Sequence, residues 1–175
     1  MLITETASTY LKTQWAGFRF SHHKVGDRRI LVASHGNFFE KVPLVRIQSP
    51  CCMSEVFGSI QCDCANQRHE ALRLIAAHGC GAFVYAYGPE QEGNGIGLEN
   101  KIKKIERERI KKCSSSDALQ WLGFDRNDYR DYREEVTVLC DIGLPRRILF
   151  LSNNPGKRSA LLHAGFDPGT HHEWK

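Results

Sequence analysis

Four of the seven cysteines fall within residues 50–64, as Cys51-Cys52 and Cys62-Asp63-Cys64. One helix cannot aim residues i and i+2 in the same direction. A tight turn or an extended segment can, and a third cysteine can close on the pair from the preceding segment. Three thiolates with an open fourth position suit a catalytic zinc that holds a water. The start, Met1-Leu2-Ile3-Thr4-Glu5-Thr6, lacks the basic and apolar regions of a secretion signal. A cytoplasmic chain with an odd cysteine count is expected to keep reduced thiols rather than a disulfide framework. Cys80, Cys113 and Cys140 stand alone and read as core residues, because a free thiol packs as a small hydrophobe.

Three further stretches carry chemistry. Glycines alternate through Gly93-Asn94-Gly95-Ile96-Gly97, where neither a helix nor a strand interior is comfortable. Backbone N–H groups there can approach a ligand, and a helix follows at once, which makes an anion site; a flexible connector would have the same composition. Asp128 and Arg130 sit two residues apart in a polar segment that is either a surface loop or a catalytic pair. Ser152-Asn153-Asn154-Pro155-Gly156-Lys157 lies between a strand and a helix, the place where open α/β sheets bind ligands. Residues 101–112 hold seven basic side chains. They read either as a solvated helix face with Glu–Lys and Glu–Arg pairs or as an attractor of polyanions. Nucleic-acid binding is disfavoured, since aromatic residues are not interleaved with the charges.

The elements that must position these groups can be read from periodicity. At 175 residues, 41% hydrophobic and 25% charged, the chain has the size and composition of one soluble domain. It has no apolar run near the roughly 20 residues of a membrane helix. Segments 17–21 and 29–33 predict a hairpin about Val25-Gly26-Asp27, and 42–48 predicts a strand that runs into the cysteines. Ala71, Leu72, Ile75 and Ala76 mark a helix over 65–78, with Gly79 as its C-cap. Strands follow at 80–87 and 147–151. Helices follow at 98–112, with Leu98, Ile102 and Ile105 on one face, at 118–122 after a Ser114–Asp117 cap, at 136–142, and up to about His163. His22 and His23 read as exposed loop residues, and the tail over 167–175, with His171-His172, reads as frayed.

Taken together, the motifs resemble those of the GTP cyclohydrolase II family. Leu44-Val45-Arg46-Ile47-Gln48-Ser49, then Cys51 and Cys62-Asp63-Cys64, is similar to the family's zinc signature. Gln91-Glu92-Gly93-Asn94-Gly95-Ile96-Gly97-Leu98 with Asn100-Lys101-Ile102, then Leu122-Gly123-Phe124 and Ser152-Asn153-Asn154-Pro155, follow in the family's order. The resemblance spans about residues 41–165. It implies an α/β (α+β) fold in one domain, 1–175. A mixed sheet would be flanked by helices, with a β-rich portion to about residue 48 and a zinc- and nucleotide-binding portion over about 49–165. It implies zinc on Cys51, Cys62 and Cys64, with Mg²⁺ accompanying the nucleotide phosphates. Arg46, Ser49, Gln67, Glu92, Gly93, Ser115, Ser152 and Lys157 would contact the purine nucleotide, with Glu92 suited to the guanine N1–H and amine. Asp128 would accept a proton, and Arg130 would attack the α-phosphate or clamp it electrostatically. The reaction implied is opening of the imidazole ring of GTP at C8, with loss of formate and pyrophosphate, by a cytoplasmic homodimer.

Departures from the family pattern qualify that expectation. Gln48 and Pro50 replace a histidine and a glutamate, and Glu90 and Asn94 replace two arginines. Ile105 stands where the family has a tyrosine associated with the zinc chemistry, and isoleucine moves no protons. One extra residue lies between Phe124 and Asp128. The expectation is therefore a divergent cyclohydrolase that can retain the formyl group. The alternatives are the full reaction of riboflavin synthesis, with Lys103 or Lys104 replacing the lost arginines, or a nucleotide-binding paralogue without turnover.

Overall fold

The computed structural model describes residues 2–171 and Trp174. In chain order the elements are β1 (Ile3–Lys12), β2 (Gly17–Val25), β3 (Arg28–His35), β4 (Leu44–Gln48), α1 (Cys52–Glu55), α2 (Cys64–His78) and β5 (Gly81–Ala86). A 3-10 turn (Pro89–Gln91) precedes α3 (Glu92–Gly95). Then come α4 (Leu98–Lys111), α5 (Ser115–Trp121), α6 (Arg133–Asp141), β6 (Arg147–Phe150), α7 (Pro155–His163) and β7 (Asp167–Thr170).

One seven-stranded sheet runs through both portions in the order β1-β2-β3-β5-β4-β6-β7. Its first half is antiparallel, from β1 through β5, and its second half is parallel, from β5 through β7. The expected mixed sheet flanked by helices is what forms. The hairpin lies as predicted, with Val25 facing Arg28 across Gly26-Asp27.

Strand alternation sorts the core onto two faces. Val45, Ile47, Val84 and Ala86 pack with Val136, Leu139 and Leu161 beneath α6 and α7. Leu44, Phe83 and Ala33 pack with Ala71, Leu74 and Ile75 of α2 on the other side. Because β4 is buried on both faces, as an internal parallel strand must be, all five of its residues are inaccessible. The period of two places Arg46 and Gln48 on the same face as Leu44, the α2 side, at the carboxyl end of the strand. The loops leaving β4, β5 and β6 all emerge at that end of the parallel half. The cysteines, the glycine turn and the Ser152–Lys157 segment are thereby brought together.

Several local expectations change. The N-terminal strand β1 was not legible: its outer residues are exposed on both faces, so no apolar alternation marks it. The tail is partly a strand, because β7 pairs in parallel with β6; His172 lies outside the described residues. His22 and His23 belong to β2, and His23 is fully buried and hydrogen-bonded to Ser21 Oγ. Cys80 is buried, whereas Cys140 is exposed and Cys113 only half-buried. The apolar face of α4 covers no core: none of its residues is buried, and Ile102 is half-exposed.

Candidate metal centre and ligand clefts

The metal loop is pinned by a carboxylate. Glu55 Oε2 accepts the Cys51 N–H at 3.1 Å and the Tyr85 hydroxyl at 2.6 Å, while Oε1 accepts Gln48 Nε2 at 3.1 Å. Ser54 Oγ accepts the Ala65 N–H at 3.2 Å, tying α1 to the first turn of α2. These contacts gather the thiols of Cys51, Cys62 and Cys64, whose sulfurs all lie within 4.8 Å of one another, with Cys51 and Cys62 3.5 Å apart. A tetrahedral ion with metal–sulfur bonds of about 2.3 Å sets sulfurs about 3.8 Å apart. The three cysteines therefore fit a zinc-like ion.

Electrostatics agrees with that fit. Burial and the neighbouring thiols push Cys64 far above the usual thiol range. Burial opposes ionisation of Cys62 too, but hydrogen bonds from Cys64, Cys51 and Ser54 bring it below that range. Three crowded sulfurs repel once ionised, and a divalent cation is the natural counter-charge. Cys52 is not part of the cluster, and its backbone N–H donates to Glu92 Oε1 at 2.6 Å.

Two clefts flank the thiols. The first, about 270 Å³, is lined by Pro50, Met53, Gln91, Gly93, Asn94, Lys101, Lys104, Ile105 and Glu108 beside the cysteines. The second, about 240 Å³, is lined by Arg46, Gln48, Gln67, Ser152, Asn153, Asn154, Lys157 and Trp174. Ser49, Cys64 and Arg130 line both. The Ser49 hydroxyl at this junction and the Tyr132 hydroxyl behind it are both buried, and among the described residues each has only the other as a nearby partner.

The second cleft is positive. Arg46 donates to Gln48 Oε1, to Gln67 Oε1 at 2.6 Å and to the Leu151 carbonyl at 2.6 Å, and has no carboxylate partner among the described residues. Burial pushes its guanidinium down to about 10, still charged at neutral pH. Trp174 covers that guanidinium, its ring centroid 4.7 Å away. Lys157 donates to the Ile47 carbonyl at 2.9 Å and lies 5.4 Å from the Tyr132 ring. Burial, then Arg46 and Arg130, push its ammonium down to about 7.

Arg130 and Asp128 form a two-pronged pair, with Nε–Oδ1 at 2.9 Å and Nη2–Oδ2 at 2.6 Å. Burial works against the Asp128 carboxylate, but Arg130 holds it below the usual range, which makes it a weak base while the pair is closed. Asn154 caps α7 by accepting the Lys157 N–H at 3.0 Å, and its amide reaches Asp128 at 3.4 Å. The glycine turn supports this loop. Tyr129 N–H donates to the Asn94 carbonyl at 2.8 Å, and a Cβ on Gly95 would meet Arg130 N at 2.8 Å. Gly95 also has φ +86°, a conformation glycine adopts without strain.

Of the residues singled out from sequence, Cys51, Cys62, Cys64, Arg46, Ser49, Gln67, Gly93, Ser152, Lys157 and Arg130 converge on these clefts, with Asp128 attached through Arg130. Two do not. Glu92 is buried with its carboxylate turned inward, and Ser115 is an exposed first-turn residue of α5 that lines neither cleft. On α4, Lys103 and Arg109 make exposed pairs with Glu99 and Glu106, the solvated-face pattern, whereas the Lys104–Glu108 pair lines the first cleft. Sequence reasoning missed Glu55, Tyr132, Asn154 and Trp174. Asn154-Pro155 did carry a legible N-cap signal; Tyr132 and Trp174 act through partners distant in sequence, and Glu55 joins near neighbours to the distant Tyr85.

Fold and site together define an α/β protein with a three-cysteine cluster able to hold a metal ion between two clefts, at the carboxyl ends of a parallel half-sheet. The chain belongs to the GTP cyclohydrolase II family, whose model matches residues 4–167. It is 37% identical over 169 residues to the riboflavin biosynthesis protein RibBA of Aquifex aeolicus, covering 95% of this chain and 40% of that one. It is 40% identical over 126 residues to RibBA of Bacillus subtilis, covering 71% and 30%. With the GTP cyclohydrolase-2 of Streptomyces coelicolor it shares 33% over 165 residues, covering 94% and 71%. The chain thus spans well under half the length of the RibBA proteins it matches. Among solved structures it is similar to RibBX, a two-domain 3,4-dihydroxy-2-butanone 4-phosphate synthase from A. baumannii. The TM-score is 0.50 at 14% identity, over 94% of this chain and 38% of that one. At that identity the likeness concerns the fold alone.

Proposed function

We propose that this chain is a metal-dependent hydrolase that opens the imidazole ring of GTP or a close purine nucleotide at C8, with release of pyrophosphate. The observation that carries this is the shared wall of the second cleft. Arg46, Arg130 and, when protonated, Lys157 bring positive charge to this wall next to Cys64, and among the described residues only Arg130 is paired with a carboxylate, that of Asp128. Net positive charge in a partly enclosed, low-dielectric cleft favours a polyphosphate. The nucleoside then extends past Ser49 into the first cleft, beside the thiols.

Cys51, Cys62 and Cys64 would hold zinc, which supplies Lewis acidity and an acidified water near neutral pH. Mg²⁺ would arrive with the phosphates. The chain's own residues do the rest. Arg130 grips the phosphates as an electrostatic clamp, since a guanidinium with pKa above about 12 is a poor nucleophile. A phosphate that competes for Arg130 loosens its hold on Asp128, whose carboxylate then recovers basicity and accepts a proton. Trp174 walls the cleft and limits water around the phosphates. Ser49 offers its hydroxyl at the junction.

Ile105 lines the first cleft and cannot transfer a proton, which supports retention of the formyl group on the opened pyrimidine. A second reading, full deformylation, is supported by the Lys104–Glu108 pair, 2.9 Å apart in the same cleft, as a substitute proton carrier. Zinc-loaded protein incubated with GTP, GDP, GMP and ATP, with products followed by mass spectrometry, decides between them. A formylated ring-opened product is expected; stoichiometric formate favours the second reading, and no ring-opened product from any nucleotide refutes both. The homodimer belongs to the same proposal, supported by exposed Val56, Phe57 and Ile60 beside the metal loop. Sedimentation that finds only monomer at micromolar concentration refutes it.

A further inference from the structure

Glu92 was expected to read the guanine edge, yet its carboxylate is spent inside the protein. One oxygen accepts the Cys52 N–H at 2.6 Å, and the other holds Lys101 Nζ at 2.5 Å. The Lys101 ammonium in turn reaches Cys51 Sγ at 3.0 Å. The Glu92 side chain is only 3% exposed and that of Lys101 13%. A buried ion pair is costly to form and gives little net stability, so its placement against a thiol calls for another reason.

The placement is enforced from both sides. Lys101 stands in the first turn of α4, its N–H bonded to the Gly97 carbonyl. Gly93 has φ +60°, and a Cβ there would lie 2.8 Å from Lys101 Cβ, so the glycine is what lets α4 close against the turn. Three thiolates around one divalent cation leave the centre with a net negative charge. Lys101 donates to one of those sulfurs, while Arg46 and Arg130 line the cleft on the other side.

We propose that Lys101 is a positioning residue for the thiolate centre: clamped by Glu92, it hydrogen-bonds the Cys51 sulfur, fixes its direction and offsets the charge the three thiolates gather. This rests on the reading that Cys51, Cys62 and Cys64 hold a divalent metal. Glu92 serves the metal centre through Lys101 rather than the substrate.

The test uses the full chain loaded with Co²⁺ or Zn²⁺. Affinity is read by competition with a chromophoric chelator, and the sulfur-to-cobalt charge-transfer band by absorption. Lys101→Met should weaken metal binding by about 10–100-fold, the usual cost of losing a partner behind a ligand. The band should move to longer wavelength, because a sulfur relieved of a hydrogen bond donates charge more easily. The double variant Glu92→Gln/Lys101→Met leaves no buried unpaired charge, so it keeps the test open if the single variant does not fold. It should show the same loss and the same band shift. A folded double variant with wild-type affinity and an unmoved band overturns the inference alone. Wild type that takes up no Co²⁺ or Zn²⁺ overturns the metal reading, and the inference with it.

Discussion

Lys157 makes ligand binding a matter of pH in a way that can be worked from the structure. Its side chain is almost wholly buried; Arg46 and Arg130 add to the desolvation and outweigh Glu135 and Asp128, so the ammonium is pushed from 10.5 down to about 7. A shift of that size corresponds to roughly 5 kcal/mol of disfavoured charge. The folded value lies below the unfolded one. The penalty on stability is therefore complete below about pH 7 and is relieved as pH rises toward 10.5, where the unfolded chain holds the extra proton. An anionic ligand reverses the balance: a polyphosphate in the second cleft favours the charged ammonium, so binding above pH 7 must take up a proton.

The expected outcome is a fall in affinity of up to about tenfold per pH unit above 7, continuing until the bound-state pKa is reached. The assay is calorimetric titration of GTP or inorganic pyrophosphate from pH 6.5 to 9, in buffers of different ionisation enthalpy so that proton uptake is counted directly. Ionisation of the ligand's own phosphates works in the opposite direction, and Lys157→Gln controls for it. The variant should bind weakly at pH 6.5, and its deficit against wild type should shrink steadily as pH rises to 9, since free wild type has by then lost the ammonium's proton and must take it up to bind. Parallel curves across that range, or no proton uptake by wild type, would refute the reasoning.

Gly95→Ala forces a Cβ against Arg130 N and adopts a positive φ, so it should cost about 1–3 kcal/mol in stability and lower turnover by more than tenfold while leaving metal content unchanged; thermal melts, metal analysis and initial rates check this together. Burial raises the Glu135 carboxyl to about 7, above its unfolded 4.5, so its contribution to stability is present below pH 4.5 and is lost as pH rises to 7. Glu135→Gln should flatten that slope and gain up to about 3 kcal/mol at pH 8 relative to wild type; an unchanged slope in melts from pH 4.5 to 8 counts against it. Ile105→Tyr should shift the product from formylated to deformylated pyrimidine, read as formate released per ring opened, and an unaltered ratio rules out that position as the cause.

Much of the fold was legible because most elements carry their own periodicity. The helix over Cys64–His78 starts at a cysteine and stops at Gly79, which takes φ +81°. The buried strands β4, β5 and β6 read as short apolar runs. What failed lacked such a record. Strand β1 is exposed on both faces, so Ile3–Lys12 shows no alternation. Strand β7 reads Asp-Pro-Gly-Thr, turn chemistry that an edge strand tolerates because it pairs on one side only. Helix α4 lies where its pattern put it, at Leu98–Lys111, but none of its residues is buried, because amphipathic spacing marks a helix without saying what covers its apolar side.

By itself the sequence determined the cysteine spacing, the glycine turn, the Asp128–Arg130 pair and the order of motifs, because these are distances along the chain. Tertiary structure decided which charges find partners. Cys52 meets Glu92 across 40 residues, Lys101 meets Cys51 across 50, and Arg46 meets Leu151 across 105. Those contacts turn Glu92 away from the clefts and, among the described residues, leave Arg46 and Lys157 without a carboxylate partner. Spacing records what a residue can do locally. Desolvation and charge pairing depend on whatever the fold brings beside it, and only packing fixes that.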